Sequence, residues 1–457
     1  MTSFCRDATA FKDEVITGFA AAYGRYARRV PGAAGFVRRA GPHPGKVSLV
    51  VGGGSGHYPS YAGIVGTGLA DACVMGDVFT SPSSEQVYRI GRAASGGAGV
   101  VLAFGNYAGD RLNFGAAAER LDAAGIETRI VYVTDDVASA PVDDIDLRRG
   151  IAGTLVVYKV GGSAADAGYA LDDVARVMAA ANDATATFGV AFGGCTLPGR
   201  DEPLFRVEPG MMELGLGIHG EPGVRTAEMV SGDELAGLLV DRVLADRNDR
   251  GRTSAGTRAA VLVNGLGATK YEELFVLYGG IDARLRAAGI EPVLPEVGEF
   301  VTSLDMAGCS LTVSWLDDEL AELWAAPADT ASFRRAVSHE ATIAAVESLA
   351  TDDGDTVVDE PASDVSVAQA DVVRSALRAM LTTLTDNERL LGDLDAVAGD
   401  GDHGLGMTRG ARAACDAADS AAGGGVGTVL RAAGDAFGDR AGGTSGILWG
   451  ILLSSLG

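Results

Sequence analysis

Glycine falls in clusters in this chain, and the clusters stand directly behind short runs of apolar, β-type residues. Lys46 to Val51 runs into Gly52-Gly53-Gly54-Ser55-Gly56-His57, and Gly99 to Phe104 into Gly105-Asn106-Tyr107-Ala108-Gly109-Asp110. Leu155 to Val160 ends in Gly161-Gly162-Ser163, and Ala259 to Val263 in Asn264-Gly265-Leu266-Gly267. None of these runs alternates apolar with polar residues, so each reads as a strand buried on both faces. Helix-like segments lie between them, at 112–124, 164–184 and 233–247. Strand, glycine loop, helix is the order of α/β folds, whose ligands sit at the carboxyl ends of the strands. With 65 glycines the chain has about twice the usual share, enough to supply several such loops.

The pattern changes towards the C-terminus. Residues 326–332 close the α/β block, and the acidic, aromatic-poor stretch 351–366 reads as a tether. From Val367 to Leu391 the apolar residues Val372, Val373, Leu377, Met380, Leu381 and Leu384 recur at helical spacing. The expected fold is therefore a two-part α/β domain over 1–330, with subdomains of about 1–185 and 186–330. A linker over 331–366 and an all-α domain over 367–457 complete it.

The charge balance narrows the choice of partner. The 457 residues carry 37 basic against 61 acidic side chains, a net charge of -24, which argues against nucleic acid or an anionic membrane. The apolar run Ile447 to Leu453 is too short to span a bilayer, and Met1 to Asp7 lacks a basic-then-apolar signal. The five cysteines are scattered without a CxxC pair, as expected of reduced structural thiols in the cytoplasm.

One stretch in the helical block points to a metal. In Leu394 to Gly404, Asp400 and Asp402 flank Gly401, Asp395 lies one turn upstream and His403 follows directly. Clustered hard carboxylate oxygens suit Mg²⁺, which leaves its remaining positions to water or phosphate. The alternative is a solvated acidic turn. In the α/β block the polar candidates are His57, His219 and Asp110, all in glycine-rich stretches. Gly52 to His57 has the look of a phosphate-cradling loop but lacks the Lys-Ser/Thr ending of a P-loop. His219, between glycines and before Pro222, is either a functional group or a hydrogen-bonded turn residue. Asp110 is either a base or a helix cap.

Taken together, the motifs resemble a known family. Gly52 to His57, Gly105 to Phe114, Gly217-Ile218-His219-Gly220-Glu221-Pro222-Gly223 and Thr302 to Gly308 resemble the substrate-binding half of dihydroxyacetone kinases. Leu394 to Gly404, with Gly442-Gly443-Thr444-Ser445-Gly446, resembles their nucleotide-binding half. Both halves on one chain match the single-chain, ATP-dependent members. The resemblance implies that His219 holds the ketone of dihydroxyacetone, or a related short ketose, as a covalent hemiaminal. It implies Asp110 as general base, His57 as acid/base partner, and Gly53, Gly54, Ser55 and Gly56 as pocket lining. Asp395, Asp400 and Asp402 would hold Mg²⁺ on ATP, with His403, Gly404, Gly443, Thr444 and Ser445 at the nucleotide. It further implies a homodimer making dihydroxyacetone phosphate. Erythrulose phosphorylation, a phosphorus–oxygen lyase acting on a flavin nucleotide, and ketose binding without kinase activity stand as alternatives. The family's nucleotide domain is a barrel of helices, and its later members have no counterpart after Ile447–Gly457. The expectation is a weak nucleotide site and an uncovered apolar helix.

Overall fold

The computed structural model describes residues 5, 7, 9–250, 256–336, 362–397 and 401–457. The chain forms two compact units, Met1–Ala341 and Thr342–Gly457.

After helix α1 (Phe11–Tyr23), the first sheet is built from β1 (Ala27–Arg29), β2 (Gly35–Arg38), β3 (Ser48–Ser55), β4 (Ala72–Val78), β5 (Val100–Gly105) and β6 (Thr128–Val133), in the order β1-β2-β4-β3-β5-β6. Strands β4, β3, β5 and β6 run parallel, and the β1–β2 hairpin adds an antiparallel edge. Helices α2 (Ser84–Ala94) and α3 (Ala108–Ala123) cover one face. On the other lie α4 (Thr154–Asp166) and α5 (Leu171–Asp183). The alternation of side chains along a strand decides which core each residue joins. Val50, Val100, Leu102 and Phe104 enter the core under α2 and α3, while Leu49, Val51, Val101 and Ala103 enter the core against α4 and α5. Burying each such aliphatic side chain is worth roughly 1.5–3 kcal/mol.

The second sheet is made of β7 (Thr185–Ala191), β8 (Met211–Leu214), β9 (Arg225–Glu228), β10 (Arg258–Gly265), β11 (Glu291–Pro292), β12 (Glu296–Gly298) and β13 (Gly308–Trp315). Its order is β11-β10-β13-β7-β8-β9, with β12 also beside β10, and its long central strands are antiparallel. Helices α6 (Gly232–Asp249) and α7 (Tyr271–Ala287) pack on it, and α8 (Asp318–Ala325) joins the core of the first sheet.

One expected strand is absent. Leu155 to Val160 belongs to α4, and the helix-like segment 164–184 is the end of α4 followed by α5. Every residue from Thr154 to Ala165 is buried, so α4 has no polar face to reveal its period. Its glycines let neighbours in: a Cβ on Gly162 would fall 2.2 Å from the Leu69 carbonyl oxygen, and one on Gly161 would fall 2.4 Å from Met178 Sδ. Gly52 to Ser55 also differ from expectation, lying inside β3 and not in the loop that follows it.

The second unit is helical: α9 (Asp364–Asp386), α10 (Glu388–Asp395), α11 (His403–Ser420), α12 (Val426–Ala441) and α13 (Gly443–Leu456). The helix expected over 367–391 divides at Asn387. The core is built from small residues, Ala411, Ala414, Ala418 and Ala433, around Leu377, Met407, Val429 and Phe437. A Cβ on Gly434 would lie 2.5 Å from the Ser454 backbone nitrogen, so α12 and α13 touch backbone to backbone. Most of α13's apolar surface faces outward: Ile447, Leu448, Ile451, Leu452 and Leu456 are all about half exposed or more. Of the linker expected at 331–366, residues 337–361 lie outside the described residues, and Arg334–Arg335 pairs as a short strand with Ala328–Asp329. No described helix is long and apolar enough to cross a membrane.

Candidate active site

In the first sheet, β3 leads to β4 on one side and has β5 on the other, so the chain reverses direction beside β3. Side chains beyond the carboxyl ends of β3 and β5 meet at such a point. His57 follows β3 directly, and Asp110 stands in the first turn of α3, three residues into the helix that follows β5. The second sheet contributes from the other side. His219 sits in the loop between β8 and β9, and Thr302 and Ser303 between β12 and β13. Of these, His57, Asp110 and His219 line a cavity of about 290 Å³ with Gly54, Tyr61, Phe79, Tyr107, Ile151, Thr154 and Ile218, and Thr302 and Ser303 stand behind its wall as hydrogen-bond partners.

The two histidines face one another. His57 Nε2 is 3.0 Å from His219 Nε2, and His57 Nδ1 is 2.7 Å from the Thr302 carbonyl oxygen. His219 Nδ1 is 2.9 Å from Glu221 Oε1, while the His219 amide donates to Glu221 Oε2 at 3.0 Å. Phe79 stacks on the His57 ring at 5.1 Å, and Tyr107 meets the His219 ring edge-on at 4.8 Å. The Ser303 hydroxyl donates to the Ile218 carbonyl and ties down the His219 loop. Asn264 bonds the Phe300 and Val301 amides and the Val301 carbonyl, holding the segment that carries Thr302.

Burial sets the charges here. Burial and then the facing His219 ring push His57 down to about 3. Burial raises Asp110 to about 6, against the opposing influence of the Ser81 hydroxyl and of His219. Its Oδ1 has no hydrogen-bond partner and no access to water. A carboxylate left so poorly solvated is a stronger base than an exposed one, as a proton-accepting group requires. Burial alone would also raise Glu221, but the hydrogen bond and charge of His219 bring it down to about 2.

Of the glycine-loop residues, Gly54 lines the cavity, whereas Gly53, Ser55 and Gly56 are not among its walls. The Ser55 hydroxyl is occupied by the Gly76 carbonyl at 2.6 Å. Gly53 makes room for a wall residue, since a Cβ there would fall 2.2 Å from the Tyr61 hydroxyl. Gly54 admits the backbone of Phe79 and Thr80 in the same way.

In the helical unit, Asp402, His403, Gly443, Thr444 and Ser445 surround a small hollow of about 100 Å³. His403 Nδ1 lies 3.4 Å from Ser445 Oγ. Helix α13 starts there behind Gly442 and Gly443, both at positive φ (65° and 60°), with no side chain capping its N-terminus. Its free N–H groups and dipole favour an anion. Asp395 Oδ2 accepts the Gly401 amide at 2.9 Å, which ties that carboxylate to the acidic loop. Asp400 lies outside the described residues. Among the described residues no three carboxylates, histidines or cysteines form a ligating group. Asp395 and Asp402 nonetheless bring hard oxygen donors to the ends of one loop, the donor type Mg²⁺ takes. Gly404 is a packing residue: a Cβ there would fall 1.9 Å from the Glu388 carbonyl oxygen.

The chain matches the Dak1 domain over residues 17–332 and the DAK2 domain over residues 397–457. It belongs to the dihydroxyacetone kinase family. Similar family members include the D-erythrulose kinase of Mycolicibacterium smegmatis, 51% identical over 463 residues that cover 100% of this chain and 79% of that one. The L-erythrulose kinase of Pectobacterium atrosepticum is 48% identical, covering 100% of this chain and 77% of the relative. Among solved structures, the dihydroxyacetone kinase of C. freundii in complex with AMP-PNP and Mg²⁺ superposes with a TM-score of 0.69. It is 31% identical, covering 99% of this chain and 82% of that one. The family's kinases phosphorylate short ketoses.

Against this dihydroxyacetone kinase frame, three groups at the site have no role in the sequence reading: Glu221, Tyr107 and Phe79. Glu221 stands inside the quoted Gly217–Gly223 motif, and its spacing of two from His219 is the one signal for it. Phe79 has φ 56, a left-handed conformation that nothing in its neighbourhood of sequence announces.

Proposed function

We propose that this chain is an ATP-dependent kinase of short ketoses with erythrulose as its preferred acceptor, and that His219 holds the ketone covalently. The observation that carries the reading is the meeting of His57, Asp110 and His219 at one cavity of about 290 Å³. A small ketone offers few contacts, so a covalent bond supplies affinity and rejects polyols that lack a carbonyl. Asp110, raised to about 6 by burial, takes the proton of the attacking hydroxyl. His57 exchanges a proton with the ketone oxygen, with its own position fixed by Thr302. Gly54 leaves the approach open.

In the helical unit, Asp395, Asp400 and Asp402 would hold Mg²⁺, which when bound neutralises phosphate charge. His403, Thr444 and Ser445 would meet the phosphates with side-chain donors, and the start of α13 with backbone N–H groups. With both partners oriented, transfer is a matter of positioning and charge stabilisation. In this reading 1–330 handles the ketose, 367–457 the nucleotide, and 331–366 joins them, in a cytoplasmic homodimer.

Two weights favour erythrulose over dihydroxyacetone. The erythrulose kinases are 48–51% identical over the whole chain, whereas the dihydroxyacetone-binding subunits of Listeria innocua are 38–40% identical over about two thirds of it. The cavity also has room beyond a three-carbon ketose. The test is a panel of D-erythrulose, L-erythrulose, dihydroxyacetone and glycerol with Mg·ATP, following ADP release. A higher kcat/KM for an erythrulose than for dihydroxyacetone, with no glycerol turnover, is expected. Preference for dihydroxyacetone overturns the substrate, and absence of ADP release overturns the kinase reading.

A further inference from the structure

The hydrogen bonds of the histidine pair require more protons than two neutral rings carry. The Thr302 carbonyl can only accept, so His57 Nδ1 must donate to it. The Glu221 carboxylate, held ionised, can only accept, so His219 Nδ1 must donate as well. The remaining contact, Nε2 to Nε2 at 3.0 Å, joins two nitrogens whose rings have each already used a proton. Without a third proton two lone pairs would face each other; with it the pair is a shared imidazole–imidazolium cation. The carboxylate that hydrogen-bonds to that cation is Glu221.

We propose that Glu221 is a positioning residue and counter-ion for His219: it fixes the ring with Nε2 towards the cavity and makes ketone addition neutral in charge. The inference rests on His219 being the nucleophile. The shared proton moves onto His57 Nε2 and the hydrogen bond opens, which frees the Nε2 lone pair of His219 to form a bond to the ketone carbon as the carbon–oxygen π bond breaks. The carbonyl oxygen then takes the shared proton through His57 Nε2. Before addition the pair carries one positive charge. Afterwards His57 is neutral and the alkylated His219 ring carries the same charge, still bonded at Nδ1 to Glu221. No proton crosses to solvent.

The surroundings are built for this. Asp136 Oδ2 grips Arg149 at 2.8 Å, and Arg149 lies 3.8 Å from Glu221 Oε2, the oxygen that accepts the His219 amide and not the one bonded to its ring. Asp110 and the Tyr61 and Tyr107 hydroxyls are the other titratable groups lining the cavity, and all three lie outside the Glu221–His219 hydrogen bond. Gly217 has no Cβ because one there would fall 2.1 Å from Glu221 Oε2 and 2.6 Å from an Arg149 nitrogen. Alanine at this position would push the carboxylate aside without removing its charge from the chain.

The experiment uses the full chain with ketose labelled with ¹³C at the carbonyl, together with isothermal titration of erythrulose in phosphate and in Tris at one pH. Wild type should give an sp³ adduct signal with no net proton exchange between protein and buffer. In Glu221→Gln the free pair loses its third proton, so addition should draw about one proton per site from the buffer. Loss of a charge-assisted hydrogen bond should raise the ketose KM about tenfold to a hundredfold, with kcat changed less because Asp110 is untouched. Gly217→Ala should reproduce the KM effect, which keeps the test decisive if one variant folds poorly. Wild-type KM and unchanged proton exchange in both variants would overturn the inference. Absence of any adduct in the wild type would instead overturn the nucleophile itself.

Discussion

In the α/β unit the polar groups facing the cavity are anchored to buried backbone: His57 by Thr302, the His219 loop by Ser303, and residues 300–301 by Asn264. In the helical unit the corresponding groups stand at helix ends near solvent, with His403 reaching Ser445 only at 3.4 Å and Asp395 tied to one loop amide. The first site is held in place by its own hydrogen bonds, as the proposed attack on a ketone would demand. The second waits for charge. A cation and a polyphosphate can organise carboxylates and backbone N–H groups that would otherwise repel or stay hydrated. On the proposed function, glycine-rich loops would serve a preformed pocket in one unit and a ligand-assembled one in the other.

The largest effect that could break this contrast is at His219. His219→Ala should remove the ¹³C adduct and lower kcat/KM for ketose by at least about 10³-fold, while Mg·AMP-PNP binding stays at the wild-type level. An undiminished adduct would contradict the assignment of the nucleophile.

Asp110→Asn comes next, keeping shape but not basicity. Turnover should fall about 10² to 10⁴-fold with the adduct retained. The wild-type rate should rise with pH through about 6 and then level off, because the base must be ionised. Stability should run the opposite way. A carboxyl whose folded value is raised helps the folded state at low pH, and that help is lost as pH rises through about 6. Asp110→Asn should therefore raise the melting midpoint at pH 8 more than at pH 5, by an amount corresponding to roughly 1–1.5 kcal/mol. Equal midpoints at both values would mean that Asp110 is well solvated.

A third test sharpens the comparison from the other unit. Mg²⁺ with AMP-PNP at about a hundred times its Kd should stabilise the helical unit by about 2.7 kcal/mol, and Asp402→Asn should reduce this without touching the ketose adduct. Stabilisation of wild type and variant to the same degree would remove Asp402 from the metal site. The smallest effect concerns α13. Leu448→Glu with Ile451→Glu should reduce self-association in sedimentation velocity and change folding stability by less than about 0.5 kcal/mol. An unchanged sedimentation profile would mean that this face is not sticky.

Much of the fold was legible because its strands are buried on both faces and end in glycines, as β3, β5 and β10 do. The exception, α4, shows the limit of that signal. A helix enclosed on every side is as uniformly apolar as a central strand, and six residues of it cannot reveal a period. At the site, His57, Asp110 and His219 stood out because titratable groups in glycine-rich turns have few packing explanations. Glu221 did not, because an acidic residue in a turn is ordinary until its partner across the turn is known. Phe79 could not be found at all: its place beside His57 is set by a contact between separate loops, which no local pattern encodes.

The cavity draws His57 and Asp110 from the first sheet and His219 from the second, and the bond from His57 to the Thr302 carbonyl stitches the two together. Neither half of the α/β unit therefore carries a working remnant of the site. A chain nicked or split near Ala184 would lose ketose capture altogether and recover it only on reassembly of the halves. On the proposed role of His219, covalent capture would be a checkpoint on correct docking, and two inert fragments rejoined through this pocket would report their own reunion.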